Sequence, residues 1–318
     1  MRKTGFVYHP DYLRHQTGQG HPENAQRLFA LLDYLKKDSL WNHLKQIKPL
    51  NPPLKWIEKI HTRDYISSIE RVCSSGLGML DADTLVSLDS YNVAVLAAGG
   101  VLAALDEVLG KSVNNAFCAV RPPGHHAETE RAMGFCIFNN VAIGARYAQM
   151  NHKLNKILIV DWDAHHGNGT QHIFYEDPTV FYFSVHQFPH YPGTGSDDEE
   201  GQGEGKGFTL NMPMCAGSGD LEYIEVFENI LYPEAIKFSP DLILISAGFD
   251  GHKDDPLSNL NLSAAGFKRL TQVVLNVAEE CCEGRVVSVL EGGYNLKAFS
   301  ESVSSHLSAL IEGSENRK

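Results

Sequence analysis

Eight of the fifteen histidines in this 318-residue sequence fall between positions 121 and 190. The densest run is Asp161-Trp162-Asp163-Ala164-His165-His166-Gly167-Asn168-Gly169, which follows the apolar stretch Ile157-Leu158-Ile159-Val160. On an extended strand end Asp163 and His165 point the same way and can grip one metal ion. Asp250 closes a second apolar run, Leu242 to Ile245 continued by Ser246-Ala247-Gly248-Phe249, and can supply a third ligand. Two carboxylates and one imidazole suit Zn²⁺ or Fe²⁺ with a position left open for water, a catalytic arrangement. The plainer alternative is that Asp161, Asp163 and Asp250 only cap strand ends or the helices after them. The tandem His125-His126 and the strand-end place of Asp250 argue against it.

Neighbours on a strand point to opposite faces, so His125 and His126 cannot both be satisfied core histidines of one strand face. Beside a metal, one imidazole can take a proton from water and return it to a leaving amine. Asp161 and Asn168 are available to tune the two rings: a carboxylate partner keeps its histidine charged, and a neutral amide leaves the other freer to titrate. Tyr294, after Glu291-Gly292-Gly293, is a candidate donor to a developing oxyanion, although taken alone it reads as an ordinary turn tyrosine.

These residues need elements to position them. Short β-branched or aromatic runs predict strands at Ala116 to Val120, Ile157 to Val160, Val180 to Val185, Phe208 to Met212, Leu242 to Ile245 and Val286 to Leu290. Helical spacing predicts helices at Glu23 to Leu40, Val93 to Leu109, Leu221 to Phe238 and, after a Ser263 cap, Ala264 to Cys281. Strands alternating with helices argue for an α/β fold, a mostly parallel sheet covered on both faces, with ligands beyond the carboxyl ends of the strands. With no repeat or linker, residues 1–318 read as a single domain. Two long connections stand out, from Arg121 to about Asn140 and from Gln187 to Gly207. The second is Gly-rich and acidic, and reads equally as a surface loop or an active-site rim.

Composition narrows the function. At 43% hydrophobic and 21% charged the chain is globular, which excludes a disordered or collagen-like protein. A net charge of −12 would repel a phosphate backbone and suits a cationic substrate. No nucleic acid, no membrane span of about 20 apolar residues and no signal segment are expected. Six cysteines without a C-x-x-C pair suggest reduced thiols and a cytoplasmic setting.

The motifs closely resemble those of the histone deacetylase and acetylpolyamine amidohydrolase superfamily, especially its class II branch. They are Arg-Pro-Pro-Gly-His-His-Ala-Glu at 121–128, Gly-Phe-Cys at 134–136, the 161–169 run, Ser-Ala-Gly-Phe-Asp at 246–250 and Leu-Glu-Gly-Gly-Tyr at 290–294. Order and spacing agree from His21-Pro22-Glu23 onward. The resemblance implies an arginase/deacetylase-like three-layer fold and a zinc-dependent hydrolase that removes acetyl groups from lysine side chains, releasing acetate and amine. It implies that Asp163, His165 and Asp250 bind Zn²⁺, that His125 and His126 are the tandem pair, and that Tyr294 polarises the carbonyl. Asn168, where class I relatives carry aspartate, indicates class II. Gly134, Phe135 and Tyr191 would bound an acyl-lysine tunnel, and K⁺ would sit among Asp161, Asp163, His165, Ser184 and Val185.

An arginase-type ureohydrolase is disfavoured because Gly167 stands where a second bridging carboxylate is needed. An inactive acetyl-lysine-binding module is disfavoured because every expected catalytic residue is present. An acetylated polyamine is the alternative substrate to an acetylated protein or peptide. Polyamine-preferring relatives carry glutamate where Leu257 stands here, though Asp254 and Asp255 lie close by and could compensate. Thr84 falls near the position where relatives hold the substrate backbone.

Overall fold

The computed structural model describes residues 1–76 and 78–314. Their strands are β1 (Thr4–Val7), β2 (Leu44–Ile47), β3 (Gly78–Met79), β4 (Leu85–Val86), β5 (Asn115–Cys118), β6 (Ile157–Asp161), β7 (Val180–Gln187), β8 (Thr209–Met214), β9 (Leu242–Ala247) and β10 (Val286–Leu290). Eight of them form one sheet in the order β2-β1-β5-β10-β9-β6-β7-β8, every neighbouring pair parallel. β3 and β4 make a separate antiparallel hairpin. Every residue of β5, β6, β7, β9 and β10 is buried, as apolar runs without alternation require when both faces of a sheet are covered.

The helices are α1 (Gln26–Lys37), α2 (Arg63–Ser74), α3 (Ser90–Leu109), α4 (Asn140–His152), α5 (Asn168–Phe174), α6 (Asp220–Val226), α7 (Tyr232–Phe238), α8 (Ala264–Cys282) and α9 (Leu296–Glu312). α1, α8 and α9 pack together, as do α3 and α4. Both groups reach the same strands, α3 and α9 at β5 and α4 and α8 at β9, and so cover opposite faces of the sheet. Ser263 caps α8 by accepting the Gly266 N–H at 3.1 Å.

Two expectations change. The single helix expected from Leu221 to Phe238 is broken by a π turn, Phe227–Leu231, between α6 and α7. Pro233 in the first turn of α7 has no N–H to return to the preceding turn, which accounts for the wider winding there. The apolar run beginning at Val93 extends back to Ser90, giving α3 twenty residues, long and apolar enough by length and composition to cross a membrane. It instead lies in the core, with 72% of its most apolar window buried.

The register sets the site. Asp161 pairs with Ser184 on one side and Ser246 on the other, and Ala247 pairs with Leu290. β6, β9 and β10 therefore end level with one another, and the polar segments that follow emerge on one edge.

Candidate active site

On leaving β6 and β9, Asp163, His165 and Asp250 converge. His165 Nδ1 lies 3.1 Å from Asp163 Oδ1 and 3.0 Å from Asp250 Oδ2, and one donor atom from each residue falls within 4.8 Å of the others. Main-chain donors fix both carboxylates: Gly292 N–H donates to Asp163 Oδ2 at 2.8 Å, and Ala164 N–H to Asp250 Oδ1 at 2.9 Å. The approach requires glycine. A Cβ on Gly248 would stand 2.1 Å from Asp163 Oδ2, and one on Gly292 would stand 2.2 Å from Asp250 Oδ2.

Burial and the neighbouring Asp163 push the Asp250 carboxyl above its ordinary range. Burial opposes ionisation of Asp163 too, but His125 and His165 outweigh it and hold that carboxyl low. Two buried carboxylates this close call for a cation between them. Two oxygens and one imidazole nitrogen fit a divalent ion of the zinc type. A second group, His125, Cys136 and Glu291, is also compact. There Glu291 Oε2 already accepts the Gly124 and His125 N–H groups at 2.7 and 3.2 Å, and burial pushes the Cys136 thiol well up, away from thiolate.

The tandem histidines sit beside the Asp163 cluster with ring centroids 4.0 Å apart. β5 ends at Cys118, so the pair lies in a loop rather than on a strand, and both rings face the cavity. His125 Nδ1 donates to Asp161 Oδ2 at 3.0 Å. Burial lowers the basicity of His125, but Asp161 and then Asp163 outweigh it and raise its pKa to about 10. His126 Nδ1 donates to Asn168 Oδ1 at 2.8 Å. The Asn168 amide is fixed in that sense because its Nδ2 donates to Glu128 Oε1 at 3.0 Å. Burial, then His125 and His165, drive His126 well below its ordinary value. With Nδ1 carrying the proton, His126 keeps an unprotonated Nε2.

A cavity of about 220 Å³ opens onto these groups. Tyr294 lines it opposite the histidines, and burial raises its phenol well above the ordinary range, so its hydroxyl stays a donor. The Arg27 guanidinium lies 4.9 Å from the Tyr294 ring centroid. Phe135 stands edge-on to Tyr294 at 5.8 Å, and Tyr191 edge-on to His126 at 5.3 Å. Gly134 has φ +55°, and a Cβ there would sit 2.3 Å from His126 Cδ2. The acidic loop 187–207 is thus a rim: it brings His190 and Tyr191 to the cavity, and Glu199 pins it by accepting from Gly195 N–H at 2.9 Å and from Gln171 Nε2. A larger groove of about 750 Å³ near His9, Lys48 and Leu96 lacks such a cluster, and its Arg14 is spent on Asp89 at 2.7 Å.

Leu257 lines the cavity as expected. Thr84 does not. It is 1% exposed and stands behind the wall, its hydroxyl accepting the Phe135 N–H at 3.1 Å. The neighbouring Asp83 lines the cavity instead and accepts the Gly134 N–H at 3.1 Å. Asp255, which could have compensated for the missing glutamate, is buried and occupied by main-chain N–H groups. Ser184 lies beside Asp161 with its hydroxyl on His186 Nδ1 at 2.8 Å, and Val185 is buried next to it. Asp83, Pro123 and His190 were missed as lining residues, since all three come from loops with no periodic pattern.

A cavity that brings a compact carboxylate–imidazole cluster, two histidines and a buried phenol together offers the groups that hydrolysis of an amide requires. Residues 21–310 match the family model described as Histone deacetylase domain. A "Probable deacetylase" of Archaeoglobus fulgidus is 40% identical over 296 residues, covering 92% of this chain and 82% of the relative. "Histone deacetylase 14, chloroplastic" of Arabidopsis thaliana is 40% identical over 310 residues, covering 92% and 73%. The solved structure titled "Crystal Structure of HDA15 HD domain" superposes with a TM-score of 0.93 at 36% identity, covering 98% of this chain and 89% of that one. The chain belongs to the histone deacetylase family, on its class II-like side, and is a hydrolase of amide bonds.

Proposed function

We propose that the chain uses one zinc ion, held by Asp163, His165 and Asp250, to remove acetyl groups from lysine side chains of proteins or peptides. The observation that carries this reading is the pairing of His126 with Asn168 beside the Asp163 cluster, with Tyr294 across the cavity. Zinc, when bound there, polarises the amide carbonyl and makes water a stronger nucleophile. His126 Nε2 takes the proton of the attacking water. His125, kept cationic by Asp161, favours the negative charge that develops. The Tyr294 hydroxyl hydrogen-bonds to the carbonyl oxygen as that charge grows. The proton then passes from histidine to the departing amine, leaving acetate and lysine.

Phe135 and Tyr191 flank a space suited to an extended aliphatic arm, and the net charge of −12 favours a cationic product chain. We also assign a structural K⁺ to the surroundings of Asp161, Asp163, His165, Ser184 and Val185. The β6–β7 register, which sets Asp161 beside Ser184, supports it. The test is acetate release from ε-acetyl-lysine peptides by the purified protein, before and after chelation. Activity lost to the chelator and restored by one equivalent of zinc is expected. No release by the zinc-loaded protein, or release indifferent to chelation, would overturn the reading.

A further inference from the structure

The loop between β9 and α8 holds a carboxylate with no part in the chemistry above. Asp255 is 6% exposed and uses both oxygens. Its Oδ2 accepts Tyr294 N–H at 2.6 Å and Asn295 N–H at 3.0 Å, and its Oδ1 accepts Leu257 N–H at 3.1 Å. The Leu257 carbonyl in turn accepts His190 Nε2–H at 3.0 Å, and the His190 ring stacks on His165 at 5.0 Å. One side chain therefore ties the turn that carries the phenol donor to the loop that forms the cavity mouth.

We propose that Asp255 is the positioning residue that holds Tyr294 and Leu257 together, so that seating of the substrate arm and polarisation of its carbonyl share one anchor. This rests on the reading of Tyr294 as the donor to the amide oxygen. The need for an anchor follows from the local sequence. Tyr294 comes after Gly292-Gly293, and Gly293 has φ +118°, a conformation that glycine takes without strain but does not by itself fix. The turn depends on outside partners: Arg27 Nε donates to the Gly293 carbonyl at 2.7 Å, and Asp255 receives the next N–H. Charged acceptors make the stronger bonds, and a displacement of about 1 Å at a reacting group can cost roughly 10²-fold in rate.

A carboxylate can serve both segments because it has two acceptor oxygens. An amide has one, so Asp255→Asn must turn an NH₂ group toward either the Tyr294 and Asn295 donors or the Leu257 donor. The test joins two measurements on the zinc-loaded full chain. By hydrogen exchange, Asp255→Ala, which removes both acceptor oxygens, should speed exchange in segments 255–258 and 292–296 while β9 and β10 stay protected. By kinetics with an ε-acetyl-lysine peptide, kcat should fall about tenfold or more, but less than about threefold further when Tyr294 is already Phe, because the two act as a unit. Asp255→Asn, whose amide oxygen can serve one segment only, replaces the alanine variant if that does not fold, and should then speed exchange in one of the two segments. Equal fractional loss in both backgrounds, unchanged exchange at 292–296 in the alanine variant, or unchanged exchange in both segments of the asparagine variant overturns the proposal. A wild-type protein inactive on the peptide would instead overturn the substrate reading, and the exchange measurement would still decide the role of Asp255.

Discussion

Asn168 accepts the Nδ1 proton of His126 at 2.8 Å, in the place where the adjacent His125 has the carboxylate of Asp161. Two neighbouring imidazoles with nearly the same burial are driven in opposite directions: Asp161 and then Asp163 outweigh burial and raise His125 to about 10, while burial and the charges of His125 and His165 drive His126 well down. The amide fixes the tautomer of His126 without supplying the charge that would hold it protonated. The partner of His125 carries a charge and the partner of His126 does not.

Replacing that amide by a carboxylate should move the pH profile. In Asn168→Asp the new charge favours the imidazolium of His126 and raises its pKa, so the unprotonated base is present only at higher pH. The acidic limb of kcat/KM should shift upward by about 1–3 units, with activity lost below the new limb and retained above it. The profile measured from pH 5 to 10 checks this, and a limb that stays in place would remove Asn168 from the control of His126.

Tyr294→Phe removes the hydroxyl and keeps the ring over Arg27 and beside Phe135. Turnover should fall roughly 10²-fold or more, with KM and metal content little changed, as for loss of an oxyanion donor. Steady-state kinetics alongside metal analysis separates this from a turn residue, for which kcat would stay near wild type.

Much of this site can be read from the sequence because its ligands follow apolar runs directly. Asp163 and His165 come straight off β6, and Asp250 closely follows β9, so strand periodicity alone brings them to one edge. β1 and β2, at one edge of the sheet, were missed because they are four residues long and carry Thr4, Lys45 and Gln46. α9 was missed because its buried face includes Ser300, Ser302, Ser304 and His306, residues that favour caps and turns as readily as helices. Tertiary partners decide there: His306 Nε2 bonds Ser288 Oγ at 2.9 Å, and its Nδ1 bonds Thr271 Oγ1 at 2.7 Å. Asp83, His190 and the anchoring role of Asp255 were illegible for a related reason. Each depends on where a loop returns, which no local pattern encodes.

Metal removal should be visible as lost stability. Without a cation the buried Asp163 and Asp250 carboxylates repel each other, and an ion that binds only the folded state adds about 2.7 kcal/mol at a hundred times its Kd. Chelation should therefore lower Tm by several degrees, and zinc should restore it at one ion per chain. Asp250→Ala should leave the protein unable to retain the ion through gel filtration. Two tightly held ions per chain, or full occupancy of the alanine variant, would contradict the assignment of the ligands.

The choice of substrate should turn on the cavity mouth. Phe135 and Tyr191 treat the arms of acetyl-lysine and of an acetylated polyamine alike, so discrimination falls to groups farther out. A carboxylate placed for a second ammonium would favour the polyamine by a few kcal/mol at most. Leu257 puts no charge there, Asp255 is consumed by three main-chain donors, and Asp254 is exposed and does not line the cavity. Asp83 does line it, and with one oxygen on Gly134 N–H its other oxygen can accept an N–H from a peptide backbone, a donor that flanks every acetyl-lysine residue in a chain. Acetyl-lysine peptides should therefore show the higher kcat/KM. N-acetylputrescine or N8-acetylspermidine turned over with tenfold greater kcat/KM than a peptide panel would make the chain a polyamine deacetylase, and Asp83→Asn would then be expected to weaken the polyamine more than the peptide.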